Sequence, residues 1–437
     1  DCFYALNASL NELLRNLFHV EFQKSSTASS SKAWASTYVH SDTEQYELFK
    51  RDVIYGRTKG FTGPLAFDIN IDERNPPNVL IIAVESFRFV DSLYISNGTS
   101  AASVMTKANI SLAPNFDRWA KRGVAFNNMW SSVQTSRSLE AILFGQVNYD
   151  SVNDTGTTQG RQDTKLEGIP QYLREKVTRR CSRLALDYDQ SNLFLPSHGF
   201  GTVLGAPEFV NIALREYGIK REDWYGPPHR ALGWGVHDDL ATAEQQARVS
   251  KGEAKQPFFI NHYTISSHTP FDSVPTWFPS IPRPDYTPLC RRLQLHEAVR
   301  DAALLYYYQL GIFLDRMEAK GVLNDTLVVV LGDHGQSPEF GLPSPYSHQS
   351  EWTGVPAALI ANGHLDIVGV PESGFTQSGV GRSLKRSVAF GERVVWSNNP
   401  FKKLSAVRGY ERIVYDRTSD EMALYDTQKD LWSRTTC

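Results

Sequence analysis

Asn78-Val-Leu-Ile-Ile-Ala-Val-Glu-Ser86 is the stretch of sequence that decides the fold. From Val79 to Val84 it is continuously apolar and rich in β-branched residues, which is typical of a strand buried on both faces and hence of a parallel sheet. Comparable runs recur further along the chain, at Ser182–Leu186, Pro257–Tyr263, Thr326–Leu331 and Pro356–Ile360. The sequence therefore predicts several buried strands that belong to one sheet.

Helical patterns lie between these runs. The clearest spans Leu295–Met317, where apolar residues recur at steps of three and four. Alternating strands and helices predict an α/β fold, with a doubly wound, mostly parallel central sheet flanked by helices. Near the C-terminus, Glu411–Asp416 and Glu421–Asp426 flank a polar turn and predict a small antiparallel hairpin. We divide the chain into a helical and linker prelude (1–74), a catalytic α/β domain (75–370) and a small C-terminal α+β subdomain (371–437).

Composition excludes several classes of protein. The 437 residues carry a formal net charge of −3, which argues against a nucleic-acid-binding protein with a strongly basic face. Aromatic residues make up 12% and charged residues 21% of the chain, which argues against extensive disorder. No apolar run approaches the roughly 20 residues of a membrane-spanning helix.

Cysteines and glycosylation motifs bear on the compartment of the protein. The chain has four cysteines, Cys2, Cys181, Cys290 and Cys437. They permit two disulfides but are also compatible with a reduced protein, and their spacing does not match that of a zinc ribbon. Asn-x-Ser/Thr motifs mildly favour an exported protein, and they occur at Asn7, Asn97, Asn109, Asn153 and Asn324. The chain begins without an initiator Met or a signal-peptide pattern, so we expect upstream sequence to exist.

Acidic and imidazole side chains follow two of the predicted strands. Glu85 follows the first strand, and Gly332-Asp333-His334-Gly335 follows the strand Thr326–Leu331. In an open α/β sheet, ligands bind beyond the carboxyl ends of the strands, so these side chains are expected at one edge. Carboxylates and an imidazole delivered there can share a divalent cation, and the sequence does not decide between manganese and zinc.

A hydroxyl-rich segment precedes a predicted helix. Thr135 or Ser136 can cap this helix, which places a hydroxyl beside unpaired N–H groups that favour an anion. Arg137 offers a fork-shaped donor two residues further on. His268 and His348 lie in predicted loops beyond or between strands, where functional side chains are common. Taken alone, these residues also fit a plain helix cap followed by a surface arginine, and two solvated loop histidines.

The ordered set of motifs resembles the sulfatase and alkaline phosphatase superfamily. The resemblance covers roughly residues 76–430 and ends in Leu424-Tyr-Asp-Thr-Gln-Lys-Asp430, which is similar to a C-terminal hairpin of sulfatases. Thr135-Ser-Arg-Ser-Leu-Glu-Ala141 is most similar to the branch that contains lipoteichoic acid synthase and phosphoethanolamine transferases.

This resemblance implies an alkaline-phosphatase-like fold with one divalent metal ion. It implies that Glu85, Thr135, Asp333 and His334 ligate the metal, and that Thr135 is also the nucleophile and becomes phosphorylated. It further implies that Arg137, His268 and His348 bind the anionic group of the substrate. The activity implied is a phosphoglycerol or phosphoethanolamine type of transfer, or phosphodiester hydrolysis, on a lipid or glycan. The enzyme would act on the extracellular or lumenal side of a membrane, anchored by upstream helices.

Two departures from the family pattern limit the assignment. Sulfatases proper oxidise a Cys or Ser in a Cys/Ser-x-Pro-x-Arg motif to an aldehyde, and this chain has no such motif; the secondary alcohol of Thr135 cannot form that aldehyde. Leu186-Asp-Tyr-Asp-Gln-Ser-Asn192 lacks the His and Arg found there in lipoteichoic acid synthases. The first departure argues against sulfate ester hydrolysis, and the second argues against glycerol phosphate as the donor group. The alternatives to a phosphotransferase are a sulfuric ester hydrolase with an unusual nucleophile and a catalytically inactive binding ectodomain.

Overall fold

The apolar run that begins at Asn78 lies inside a sheet in the computed structural model of the chain. The structure describes residues 44–49, 52–61, 67–69, 71, 76–96, 111–132, 135–144, 169, 182–186, 202–204, 230–231, 235–236, 258–268, 310–335, 354–361, 367–368, 375–376, 394–399, 403–416 and 419–427.

In chain order the described strands are β1 (Glu44–Phe49), β2 (Asp52–Phe61), β3 (Asp68–Ile69), β4 (Asn78–Val84), β5 (Val124–Trp130), β6 (Ser182–Leu186), β7 (Thr202–Leu204), β8 (Arg230–Ala231), β9 (Gly235–Val236), β10 (Phe258–Tyr263), β11 (Thr326–Gly332), β12 (Gly354–Ile360), β13 (Ile367–Val368), β14 (Phe375–Thr376), β15 (Val394–Asn399), β16 (Lys403–Arg408), β17 (Glu411–Asp416) and β18 (Glu421–Asp426). The helices with described bounds are α1 (Pro114–Ala120) and α2 (Thr135–Phe144), and residues 310–319 are also helical (α3). Short 3₁₀ helices span Phe89–Asp91 and Val322–Asp325.

Eight of these strands form the central sheet, in the order β14-β5-β12-β11-β4-β10-β6-β7. Strands β11, β4, β10, β6 and β7 run parallel, whereas β12 is antiparallel to both β11 and β5. The predicted fold class, a mostly parallel α/β sheet, is therefore confirmed. The antiparallel direction of β12 was not predicted, because an apolar run indicates burial but not strand direction.

Helices cover both faces of this sheet, as in a doubly wound fold. On one face, α1 and α3 contribute side chains such as Trp119 and Phe313 to the core around Leu80. On the other face, Leu139 and Leu143 of α2 pack against β4 and β10. The described part of the predicted Leu295–Met317 helix is helical, and its earlier residues lie outside the described part of the chain.

The C-terminal hairpin is part of a larger sheet. Strands β17 and β18 have the predicted bounds, and they extend an antiparallel sheet with the order β15-β16-β17-β18. Arg412 of β17 is fully buried, with its guanidinium carbon 4.9 Å from the centroid of the Trp130 ring at the end of β5. This contact joins the small sheet to the strand that leads towards α2.

Within the described residues, no helix is both long and apolar enough to cross a membrane. All four cysteines and His348 lie outside the described residues.

Candidate metal centre

The register of two parallel strands brings Glu85 and Asp333 together. Gly332 of β11 is paired with Val84 of β4, so the next residue of each strand lies at the same edge of the sheet. The backbone N–H of Asp333 donates to the carbonyl oxygen of Val84 at 3.1 Å, which continues the pairing by one further step. Gly332 is required here because a Cβ atom at this position would overlap the carbonyl oxygen of Phe87. Both carboxylates are buried as a result, with exposed fractions of 1% for Glu85 and 0% for Asp333.

Asp333 has one oxygen that is fully used and one that is not. Its Oδ1 accepts the backbone N–H of Ser86 at 2.9 Å and that of His334 at 2.6 Å. Its Oδ2 is buried and accepts no hydrogen bond within the described part of the chain. A buried carboxylate oxygen without a hydrogen-bond donor is costly, and a cation is one partner that removes this cost.

His334 presents a defined nitrogen to the two carboxylates. Its Nδ1 lies 3.0 Å from the carbonyl oxygen of Gly335 and donates to it, which leaves the Nε2 lone pair facing the cluster in the neutral ring. Nε2 lies 3.4 Å from Asp333 Oδ2 and 3.7 Å from Glu85 Oε1. A metal-binding imidazole is commonly fixed in this way, by a hydrogen bond from its other nitrogen.

Thr135 is the first residue of α2 and joins the same cluster. Its hydroxyl Oγ1 donates to Glu85 Oε2 at 3.1 Å and lies 3.3 Å from His334 Nε2. The segment before α2 is tied to the helix, because Ser138 Oγ donates to the carbonyl oxygen of Ser132 at 2.9 Å. The Thr135 side chain therefore points towards the carboxylates and imidazole, which differs from the predicted capping interaction with its own helix.

The charges of the cluster act strongly on one another. Burial, followed by the charge of Glu85, raises the pKa of Asp333 from 3.8 to about 7. Burial also acts to raise the pKa of Glu85, but the charges of His334 and His268, together with the hydrogen bonds from Ser86 and Thr135, outweigh it and the pKa is lowered. For His334, burial acts to lower the pKa, and the two carboxylates outweigh burial and raise it. Two buried carboxylates and one imidazole thus form a site with an excess of negative charge.

These residues fit a divalent cation. One ligand atom from each of Glu85, Asp333 and His334 lies within 4.8 Å of the others, and Thr135 Oγ1 adds a fourth oxygen. Two carboxylates, one imidazole and a hydroxyl form a donor set that suits zinc or manganese. The orphaned Asp333 Oδ2 supports this fit.

The loop after β10 is attached to the backbone of Glu85. The N–H of Glu85 donates to Thr264 Oγ1 at 2.9 Å, and Ser267 Oγ donates to the carbonyl oxygen of Glu85 at 2.6 Å. His268 follows directly, and its charge acts on Glu85 as described above. The structure therefore places His268 close enough to Glu85 for its charge to act on that carboxylate, and its contact with a substrate stays a prediction.

Two further predicted site residues have different outcomes. Arg137 is fully buried two residues after Thr135, which excludes the simple interpretation as a surface arginine. His348 lies outside the described residues, so its predicted role stays a prediction. Three hydroxyl residues that support Glu85 were not predicted from the sequence: Ser86, Thr264 and Ser267. Their position directly after β4 and β10 was the available signal.

Comparisons with known proteins show which sequence family matches the chain and which folds it resembles. A sequence family described as Sulfatase matches residues 77–366. A protein in the alkaline phosphatase superfamily from Vibrio parahaemolyticus is 17% identical, with a TM-score of 0.57 over 83% of this chain and 81% of that chain. The lipoteichoic acid synthase LtaP from Listeria monocytogenes is 15% identical, with a TM-score of 0.55 over 84% of this chain and 90% of that chain. The PsFucS1 sulfatase from Pseudoalteromonas sp. is 14% identical, with a TM-score of 0.53 over 83% of this chain and 86% of that chain. At these identities the likeness concerns the fold.

Proposed function

Because the chain belongs to the sulfatase family, we propose that it is a metal-dependent phosphotransferase or phosphodiesterase with Thr135 as its nucleophile. The observation that carries this proposal is the position of Thr135 Oγ1, 3.1 Å from Glu85 Oε2 and 3.3 Å from His334 Nε2. A hydroxyl is held at the centre of a buried acidic cluster and is itself only half-buried, so a substrate can reach it.

In this proposal Glu85, Asp333, His334 and Thr135 hold one divalent cation. Such a cation, when bound, favours the deprotonated form of an oxygen it contacts and offsets negative charge on a reacting phosphoryl group. The protein itself contributes the orientation of the hydroxyl, which is fixed by the start of α2 and by the contact with Glu85. Burial of the carboxylates keeps water from weakening these electrostatic interactions.

The proposed reaction has two steps. Thr135 Oγ1 loses its proton and bonds to phosphorus, the bond from phosphorus to the leaving alcohol breaks, and the alcohol oxygen takes up a proton. Water or a second alcohol then attacks the phosphothreonine, releases Thr135 and returns a proton to its Oγ1. His268 is our proposed donor for the leaving alcohol, because it is the described imidazole near the cluster that is not needed to hold the cation. We propose that Arg137 and His348 orient the anionic group.

The substrate we propose is a lipid- or glycan-linked phosphodiester outside the cytosol, at the surface of a membrane. The solved lipoteichoic acid synthase among the similar structures supports this choice, as do the five glycosylation motifs. Of these motifs, Asn324 lies on an exposed part of the described surface.

Sulfuric ester hydrolysis is the second candidate, because the matching family is described as Sulfatase. The chemistry of the nucleophile argues against it. Thr135 is a secondary alcohol and cannot be oxidised to the aldehyde on which sulfatases rely. A binding role without catalysis is the third candidate, and the complete set of Glu85, Thr135, Asp333 and His334 argues against that role.

The decisive experiment offers two chromogenic substrates, bis(p-nitrophenyl) phosphate and p-nitrophenyl sulfate, to the protein loaded with manganese or zinc. We expect release from the phosphodiester, and a loss of at least about 1,000-fold in kcat for Thr135→Ala, because the covalent route needs the hydroxyl. The matched control is Thr135→Ser, which retains a hydroxyl and should retain most of the activity.

Three results would contradict the proposal. Release of p-nitrophenol from the sulfate ester alone would favour the second candidate, sulfuric ester hydrolysis. Full activity of Thr135→Ala would remove Thr135 from the mechanism. A protein that binds neither manganese nor zinc would favour the binding role.

A further inference from the structure

Ser86 has a backbone conformation that is uncommon for a residue with a side chain. Its φ angle is +60°, in the left-handed region, directly after the last strand residue and Glu85. Glycine adopts this conformation without strain, whereas other residues occupy it mainly where the surrounding structure requires it. Position 86 therefore carries a side chain although its backbone conformation favours glycine.

This conformation lets one residue contact both carboxylates of the metal centre. The backbone N–H of Ser86 donates to Asp333 Oδ1 at 2.9 Å, and its hydroxyl donates to Glu85 Oε1 at 2.6 Å. Each carboxylate thus has one oxygen engaged by Ser86. The other two oxygens behave differently: Asp333 Oδ2 accepts no hydrogen bond among the described residues, and Glu85 Oε2 faces Thr135.

We propose that Ser86 is a positioning residue that selects which carboxylate oxygens face the cation. By holding Glu85 Oε1 and Asp333 Oδ1, it orients Glu85 Oε2 towards Thr135 Oγ1 and Asp333 Oδ2 towards His334 Nε2. The two buried carboxylates repel each other, and a donor that bridges them holds both in the binding geometry before a cation arrives. This inference rests on the proposed function, since it presupposes the metal centre.

The test measures metal affinity directly. The full chain is stripped with a chelator, and manganese is titrated calorimetrically into the parent, Ser86→Ala and Ser86→Gly. We expect both variants to bind manganese about 10- to 100-fold more weakly, as for the loss of other groups that orient metal ligands. Ser86→Gly removes the same hydroxyl but tolerates the left-handed backbone. A loss of affinity common to both variants therefore belongs to the hydroxyl and not to backbone strain.

Ser96→Ala is the matched control. Ser96 is also a buried serine in the segment after β4, but its hydroxyl donates to the carbonyl oxygen of Ser92 at 2.6 Å. Its manganese affinity should equal that of the parent. Urea unfolding of each chelated protein establishes that it is folded, and Ser86→Gly alone suffices if Ser86→Ala does not fold.

The outcomes separate this inference from the proposed function. If the parent binds manganese and the Ser86 variants bind it within twofold of the parent, the role of Ser86 is wrong and the metal centre stands. If the parent binds no manganese or zinc, both ideas fail.

Discussion

Replacing Asp333 by Asn tests whether the metal centre carries more negative charge than the fold tolerates without a cation. Burial and the neighbouring Glu85 raise the pKa of Asp333 from 3.8 to about 7. A carboxyl whose pKa is raised by folding holds its proton more tightly in the folded than in the unfolded chain. Stability is therefore lost as the pH rises from the unfolded to the folded pKa, and it stays lost above that window.

The size of the effect follows from these two pKa values. Without a cation, the raised pKa of Asp333 destabilises the protein by on the order of 4 kcal/mol at pH 8, where the folded carboxyl is ionised. At pH 5 the folded carboxyl stays protonated while the unfolded one ionises, and the loss is about 2 kcal/mol. Asn has the same shape, and its Oδ1 can accept the N–H groups of Ser86 and His334 as Asp333 Oδ1 does. We therefore expect Asp333→Asn to be more stable than the parent in chelator, by more at pH 8 than at pH 5.

The assay is urea unfolding at both pH values, in EDTA and in manganese. Manganese should stabilise the parent by mass action but leave Asp333→Asn nearly unchanged, because one charged ligand is missing. Asp325→Asn serves as the control, since Asp325 is an exposed carboxylate just before β11. An Asp333→Asn protein that is less stable than the parent in EDTA at pH 8 would refute the excess of negative charge.

Two further substitutions test the supports of the site. Gly332→Ala places a Cβ against the carbonyl oxygen of Phe87, so we expect a loss of ~3 kcal/mol in the free energy of urea unfolding. Manganese binding should weaken as well. An unchanged unfolding midpoint would contradict the close approach of the Phe87 carbonyl oxygen to Gly332. Arg412→Lys removes the guanidinium that lies over the Trp130 ring, so we expect a loss of about 2 kcal/mol in the free energy of thermal unfolding. An unchanged melting temperature would show that this contact does not hold the C-terminal sheet.

The sequence predicts the buried strands well because burial leaves a direct pattern. The bounds of β6 are as predicted, those of β4, β10 and β11 differ by one residue, and those of β12 differ by two. Strand β5 was missed because Val124-Ala-Phe-Asn-Asn-Met-Trp130 interrupts its apolar residues with two asparagines. Neither a continuous apolar run nor its absence fixes the direction or the neighbours of a strand, since these depend on the whole sheet.

The candidate metal centre was also predictable in part from the sequence. Glu85, Asp333 and His334 were predicted to share one edge because they follow parallel strands, and the structure brings them together. The left-handed turn at Ser86 and the complete burial of Arg137 could not be predicted from residue type. The turn at Ser86 depends on its contact with Asp333, which is far away in the chain.

The pairing of β4 with β11 gives a cation a second consequence, in folding. Side chains alternate between the two faces of a strand, so a slip of one residue would turn Asp333 away from Glu85. A chain in which β4 and β11 pair out of register then lacks the metal centre, and the ion stabilises only the native register. Manganese or zinc in solution would thus favour the native register of β4 and β11 whenever the chain folds in its presence.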